Sequence, residues 1–242
     1  GRGALASTTI PDGLYPAREK REHMRIGVPR AYLDGVDEGV RTVLDTVLKK
    51  LTRMGHSVID IELPTSTYAI PAFYVINFAE VSTNLARFDG IRYGLAKRGE
   101  TLLDDYVHSR TEGFGPETRR RILLGTFVLS AGYIDAYYRK ANAAREALRR
   151  YYESAFQSCY VVAFPTMPTP AFKIGEKGDP LSMYLEDIFT VPPNLTGMPA
   201  ISVPMGTVEK EGKKLPVGIH FTAPHQVEDV LFAIGQAVEN SE

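Results

Sequence analysis

The sequence predicts an α/β protein with a mixed, largely parallel sheet covered by helices on both faces. Three observations carry that expectation. A strand, helix, glycine, strand series runs from Arg25 to Leu63, short apolar runs closed by proline occur at Tyr160–Phe164 and Ala200–Val203, and amphipathic helical stretches separate them. With 242 residues, 44% hydrophobic and 24% charged, the chain has the composition of an ordinary globular protein.

Residues 1–24 are polar and punctuated by Pro11-Asp12-Gly13 and Pro16, which predicts a leader or linker ahead of the packed region 25–242, for which length alone allows one large domain or two small ones. The chain starts on Gly1 rather than Met, so its numbering is expected to begin inside a longer or processed product. No apolar stretch at this end resembles a secretory signal. Arg25 to Val28 is a strand ended by Pro29. From Asp37 to Met54, Val40, Val43, Leu44, Val47, Leu48 and Leu51 recur at helical spacing, and Gly55 is placed to stop the helix. Ser57 to Leu63 alternates apolar and acidic residues up to Pro64, completing a βαβ unit with a parallel strand pair.

Tyr68 to Ala86 predicts a more apolar helix, followed by an aromatic-anchored surface loop over 84–94. Leu102 to Ser109 is a short amphipathic helix. The triple Arg119-Arg120-Arg121 leads into the apolar run Ile122 to Leu129, and one long Tyr- and Arg-rich helix is expected from Ala131 to about Phe156. Tyr160 to Phe164 is a buried strand, and Pro165-Thr-Met-Pro-Thr-Pro170 forces extended backbone at its carboxyl end, where open α/β sheets bind ligands. Between Pro199 and Pro204, Ala200 to Val203 reads as a buried strand. Gly206 to Gly212 is a charged, hairpin-like turn, Pro216 to Thr222 a last strand, and Val227 to Val238 a closing helix.

The formal net charge of −1 supplies no field that would draw the chain to nucleic acid or an anionic membrane. Cys159 is the one cysteine, which excludes an intrachain disulfide, and its apolar setting makes it a small buried hydrophobe. None of the five histidines pairs with another at the spacing of a helical zinc motif; His220 and His225 straddle a strand end and read as surface residues. Phosphate-binding glycine loops and a Gly-x-Ser-x-Gly elbow are absent. Asp187 stands out because its neighbours Tyr184, Leu185, Ile188 and Phe189 are apolar. Either it caps a helix or satisfies a structural need, or it serves a binding site.

Three stretches go further. They are Asn84-Leu-Ala-Arg-Phe-Asp-Gly-Ile-Arg-Tyr-Gly94, then Glu112 to Gly115 with Arg120 to Tyr138, and Pro165 to Glu176 continued by Asp179 to Pro204. Together they resemble the carboxyl-terminal half of the amidase signature family, and within it the A-type subunits of glutamyl-tRNA(Gln) amidotransferases. The resemblance implies the amidase fold and a glutaminase that frees ammonia from glutamine for use on glutamyl-tRNA by partner subunits. In that family a Lys and two Ser form the catalytic triad within a Gly- and Ser-rich segment. This chain has no Gly-Gly and no Ser-Ser pair, so the resemblance assigns it no catalytic residue.

It does imply binding residues: Arg121 for the glutamine carboxylate, Asp187 for its amino group, and Tyr74 as an aromatic contact, with Phe73 the alternative register. A guanidinium fork suits a carboxylate and an acid suits an ammonium. The implied partners are B- and C-type subunits, the amino-terminal amidase half, and tRNA through those partners, in the cytoplasm or an organelle matrix. No cofactor is expected in this chain, with ATP and Mg on one of the partner chains. Ile134 departs from a common Tyr, and Ile219-His220-Phe221 from a Gly-Leu-Gln type strand. The competing reading is an amidase-derived structural component of a larger, RNA-containing assembly; a generic amidase piece is a third.

Overall fold

The computed structural model describes residues 9–11, 13, 22–64 and 68–240; the expected leader therefore lies mostly outside the described residues. Two compact units divide the chain: Gly1–Ile70 with Glu146–Glu242, and Pro71–Arg145.

The first unit holds a five-stranded mixed sheet, ordered β2–β1–β3–β5–β4 and flanked by helices. Strand β1 (Arg25–Val28) pairs in parallel with β2 (Ser57–Asp60) and with β3 (Val161–Pro165). Helix α1 (Glu38–Arg53) joins β1 to β2. Asp37 caps it by accepting from the Gly39 and Val40 amides, and Val40, Leu44, Val47, Leu48 and Leu51 form its buried stripe, as their spacing predicts. Gly55, at φ 96°, turns the chain out of this helix.

Because β2 and β3 flank β1 on opposite sides, the connections diverge at the carboxyl ends of β1 and β3. Such switch points are where open α/β sheets take ligands. β3 is fully buried along its length, and Cys159 just before it is 2% exposed. Burial pushes the Cys159 thiol up to about 11, as suits an inert small hydrophobe.

The antiparallel half of the sheet differs from expectation. β4 (Ala200–Lys210) does not stop at Pro204 but continues across a register shift at Pro204/Gly206 and pairs along its length with β5 (Lys213–Thr222). An edge strand tolerates the proline because no neighbour needs its N–H. The turn is confined to Glu211 and Gly212, both at positive φ, the geometry of a tight hairpin. Nor is Ala200–Val203 a buried strand: Ala200 and Ser202 are exposed, Ile201 is intermediate and Val203 is buried. Helix α8 (Glu228–Glu239) lays Val230, Leu231, Ile234 and Val238 inward to close the unit.

In the second unit, α2 (Ala69–Asn84) brings the chain in, followed by a 3-10 turn (Leu85–Arg87). Over 88–94, the Phe88 and Tyr93 rings meet edge-on at 6.3 Å, and Arg110 ties the segment down by donating to the Leu85 and Phe88 carbonyls. α3 (Leu102–Gly113) starts with a Thr101/Asp104 capping box, and α4 (Pro116–Val128) with proline in its first turn. The single long helix expected from Ala131 is instead a turn, a π-helical segment (Ile134–Arg139) and α5 (Lys140–Ala155), which carries the chain back to the first unit. The wide segment holds Phe127, Tyr133 and Tyr137 as a ring cluster, with Phe127–Tyr133 centroids 4.2 Å apart.

Candidate functional site

The site grows from the carboxyl end of β3. Proline at 165, 168 and 170 keeps this segment out of helix, so its polar groups find partners elsewhere. The Thr166 amide donates to the Gly218 carbonyl (2.7 Å), and its hydroxyl lies 2.6 Å from that of Ser202. The Pro168 carbonyl accepts from the Asp37 amide at the start of α1 (2.9 Å). Thr169 donates from its hydroxyl to Glu186 (2.8 Å), and Lys177 forms an ion pair with the same carboxylate. The switch-point segment is thus joined to the stretch that bears Asp187.

That stretch begins with α6 (Pro180–Tyr184), capped by Asp179, whose carboxylate accepts from the Ser182 amide. A 3-10 turn, Leu185–Asp187, follows. Asp187 is half-buried, and its carbonyl accepts from the Thr190 amide (3.0 Å) and hydroxyl (3.2 Å). Phe189 anchors the turn from below, stacked on Phe164 of β3 with centroids 5.2 Å apart and both rings buried.

Next comes α7 (Val191–Thr196), with Pro192 and Pro193 in its opening turn, where missing amides cost no internal bond. Between α7 and the β4–β5 edge lies an open hollow of about 530 Å³. Thr190, Asn194, Ser202 and His220 give it polar groups, and Pro193, Met198 and Ile201 apolar ones. His220 faces Ser202 on one side and Phe164 on the other, is 5% exposed, and its Nδ1 has no partner among the described residues. Burial lowers it to about 4, so the ring is neutral at physiological pH. The surface expectation holds for His225 and fails for His220. The reason is that β5 is interior to the sheet, with β3 and β4 on its two sides.

Arg121 and Tyr74 belong to the second unit. Arg121 sits in the second turn of α4, where its Nε donates to Glu117 one turn back (2.7 Å). Arg121 first, then Arg120, holds the Glu117 carboxyl below its usual range. An i,i+4 pair on a partly exposed helix face is weak. Tyr74 is buried on α2 between Phe73 (5.2 Å, edge-on) and Phe78 (5.6 Å). Glu186 is the residue that sequence reasoning missed. The acid that stands out among apolar neighbours is Asp187, yet Glu186 is the one buried, at 4% exposure. Its partners come from 17 and 9 residues upstream, a pairing with no local signature. Among the described residues no cluster of three or more His, Cys, Asp or Glu could hold a metal ion.

The chain is 45% identical over 248 residues to the A-type subunit of glutamyl-tRNA(Gln) amidotransferase from Caldanaerobacter subterraneus subsp. tengcongensis, covering 100% of this chain and 50% of that protein. The protein of the same name from Geobacillus kaustophilus is 47% identical over 239 residues, covering 98% and 48%. The chain therefore spans about half the length of the curated relatives it matches. Among solved structures, the corresponding amidotransferase protein of Thermotoga maritima superimposes with a TM-score of 0.66 at 36% identity, over 90% of this chain and 42% of that one. An allophanate hydrolase of Kluyveromyces lactis, at 13% identity and a TM-score of 0.70, shares the fold alone. A family model described as Amidase matches residues 6–232. With the match running through nearly the whole chain and the sheet shared with a solved relative, this chain belongs to the amidase family.

Proposed function

We propose that this chain is the glutamine-recognition portion of an A-type amidotransferase subunit: a glutaminase supplying ammonia for the conversion of Glu-tRNA(Gln) to Gln-tRNA(Gln). The observation that carries this reading is the 45–47% identity to A-type subunits across essentially the full chain. In this account Arg121 grips the glutamine α-carboxylate, Asp187 accepts from the α-ammonium, and Tyr74 is an aromatic contact to the substrate. A guanidinium and a carboxylate are the complements of an amino acid's two charged ends. The acyl nucleophile and its Lys belong to the family's Gly- and Ser-rich segment, which is not within these 242 residues, so the chain alone releases no ammonia. B- and C-type subunits are its partners. ATP and Mg act on a partner, and tRNA is engaged through those partners, in keeping with a net charge of −1.

The test is a glutaminase assay on the 26.8 kDa chain alone and on the full-length protein in its complex. Ammonia release is expected only from the latter. Release by the isolated chain would refute the division of labour, and glutamine turnover by the complex that is indifferent to Arg121 and Asp187 would refute the assigned roles.

A further inference from the structure

The most deeply buried acid near the site is not the one assigned to the substrate. Glu186 is 4% exposed, and its carboxylate is held by the Thr169 hydroxyl and the Lys177 ammonium. Lys177 is itself largely covered, its side chain 20% exposed and its ammonium 5.0 Å from the centre of the Phe172 ring. A buried charge is costly unless paired, and a pair of this kind adds little net stability compared with apolar replacements. Its effect is geometric. It draws three separate stretches onto one point: the proline segment at the end of β3, the loop carrying Phe172 and Lys177, and the turn Leu185–Asp187.

In a 3-10 turn, successive side chains leave the axis about 120° apart. With Glu186 fixed inward, the adjacent Asp187 is directed away from that point, and it is indeed half-buried rather than enclosed. The other side of Asp187 is fixed too, by the two bonds its carbonyl accepts from Thr190 and by Phe189 stacked on Phe164.

We infer that the buried Glu186–Lys177 pair is a positioning device for Asp187, setting the direction in which its carboxylate meets the ammonium of an amino-acid amide substrate. Glu186 and Lys177 are positioning residues and touch no reacting atom. The inference rests on the proposal that Asp187 receives the substrate amino group.

The experiment is steady-state glutaminase kinetics of the full-length protein in its complex, comparing Lys177→Met, Glu186→Gln, Asp187→Asn and the double variant K177M/D187N. Each is run on glutamine and on its analogue lacking the α-amino group. Lys177→Met is expected to raise the KM for glutamine about tenfold with kcat little changed, the coupling usual for residues linked through one stretch of backbone. Glu186→Gln, which keeps the Thr169 bond, should raise it less. Both penalties should vanish on the deamino analogue, and that of Lys177→Met in the Asp187→Asn background.

If Asp187→Asn raises KM while Lys177→Met leaves it unchanged, the positioning inference is overturned and the role of Asp187 stands. A Lys177→Met penalty that is equal on both substrates, or additive with Asp187→Asn, shows a merely structural pair and overturns it as well. If Asp187→Asn itself has no effect on KM, the role of Asp187 falls and the inference falls with it.

Discussion

The tightest backbone approach in the second unit predicts a large effect from a single methyl group. Gly125 of α4 faces the backbone of α2. A Cβ built on it would lie 1.9 Å from the Phe78 carbonyl oxygen, 2.6 Å from its carbon and 2.6 Å from the Ser82 hydroxyl. Such contacts are far inside the roughly 3.5–4 Å at which non-bonded atoms attract, and the obstructing groups include main chain, which cannot rotate away as a flexible side chain does. Gly125→Ala therefore forces α4 away from α2.

Overpacking of this kind costs about 1–3 kcal/mol. With a urea dependence of about 2–3 kcal/mol per molar, the unfolding midpoint should fall by roughly 0.3–1.5 M. Far-UV circular dichroism reads this directly, since both helices contribute to the signal. Arg121 lies one turn before Gly125 on the same helix face, so the displacement should also weaken glutamine binding by the full-length protein. An unchanged midpoint and an unchanged slope for Gly125→Ala would refute the close crossing of α2 and α4.

Two further outcomes follow from the first unit. His220 is lowered to about 4 by burial, below the 6.5 of an unfolded histidine, so between those values the unfolded state binds the extra proton. Its contribution is complete above pH 6.5 and is lost as the pH falls toward 4, by up to about 3 kcal/mol. Urea midpoints for His220→Gln should therefore fall less steeply over this range than those of the parent, and parallel curves would contradict the buried, neutral ring. Tyr152 is 1% exposed, and its hydroxyl has no hydrogen-bond partner among the described residues. Tyr152→Phe should leave stability unchanged or raise it by up to about 1 kcal/mol, because a desolvated hydroxyl is removed and the ring is kept. A loss above that size in a thermal melt would show that the hydroxyl is satisfied.

The parts of the fold that could be read from the sequence are those governed by local signals. The strand Arg25–Val28, the helix capped by Asp37 and stopped at Gly55, and the parallel pairing of β1 with β2 all follow from spacing, capping and proline or glycine stops. What could not be read depends on partners distant in the chain. Pro204 resembles a strand end because proline lacks a ladder donor, but β4 is an edge strand and runs through it. The Tyr-rich stretch after Ala131 has helical composition throughout, and the ring packing of Phe127, Tyr133 and Tyr137 accompanies a π-helical segment that composition does not encode.

At the site the same division appears. Asp187 is legible as an acid among apolar residues. The burial of Glu186 is not, because Thr169 and Lys177 reach it from a loop whose course only the folded sheet determines. The nearness of His220 to a strand end suggests the surface. Its burial comes from lying opposite both Phe164 and Ser202 across the sheet.

In the proposed function, Arg121 and Asp187 recognise the two charged ends of glutamine. Titration calorimetry of L-glutamine into the full-length protein in its complex, with the acyl nucleophile replaced so that glutamine binds without turnover, checks this, with Arg121→Lys and Asp187→Asn beside the parent. Lysine keeps the charge but cannot offer the planar fork, so each variant is predicted to weaken binding by about tenfold or more. Parent-like affinity in both variants would contradict the assignment.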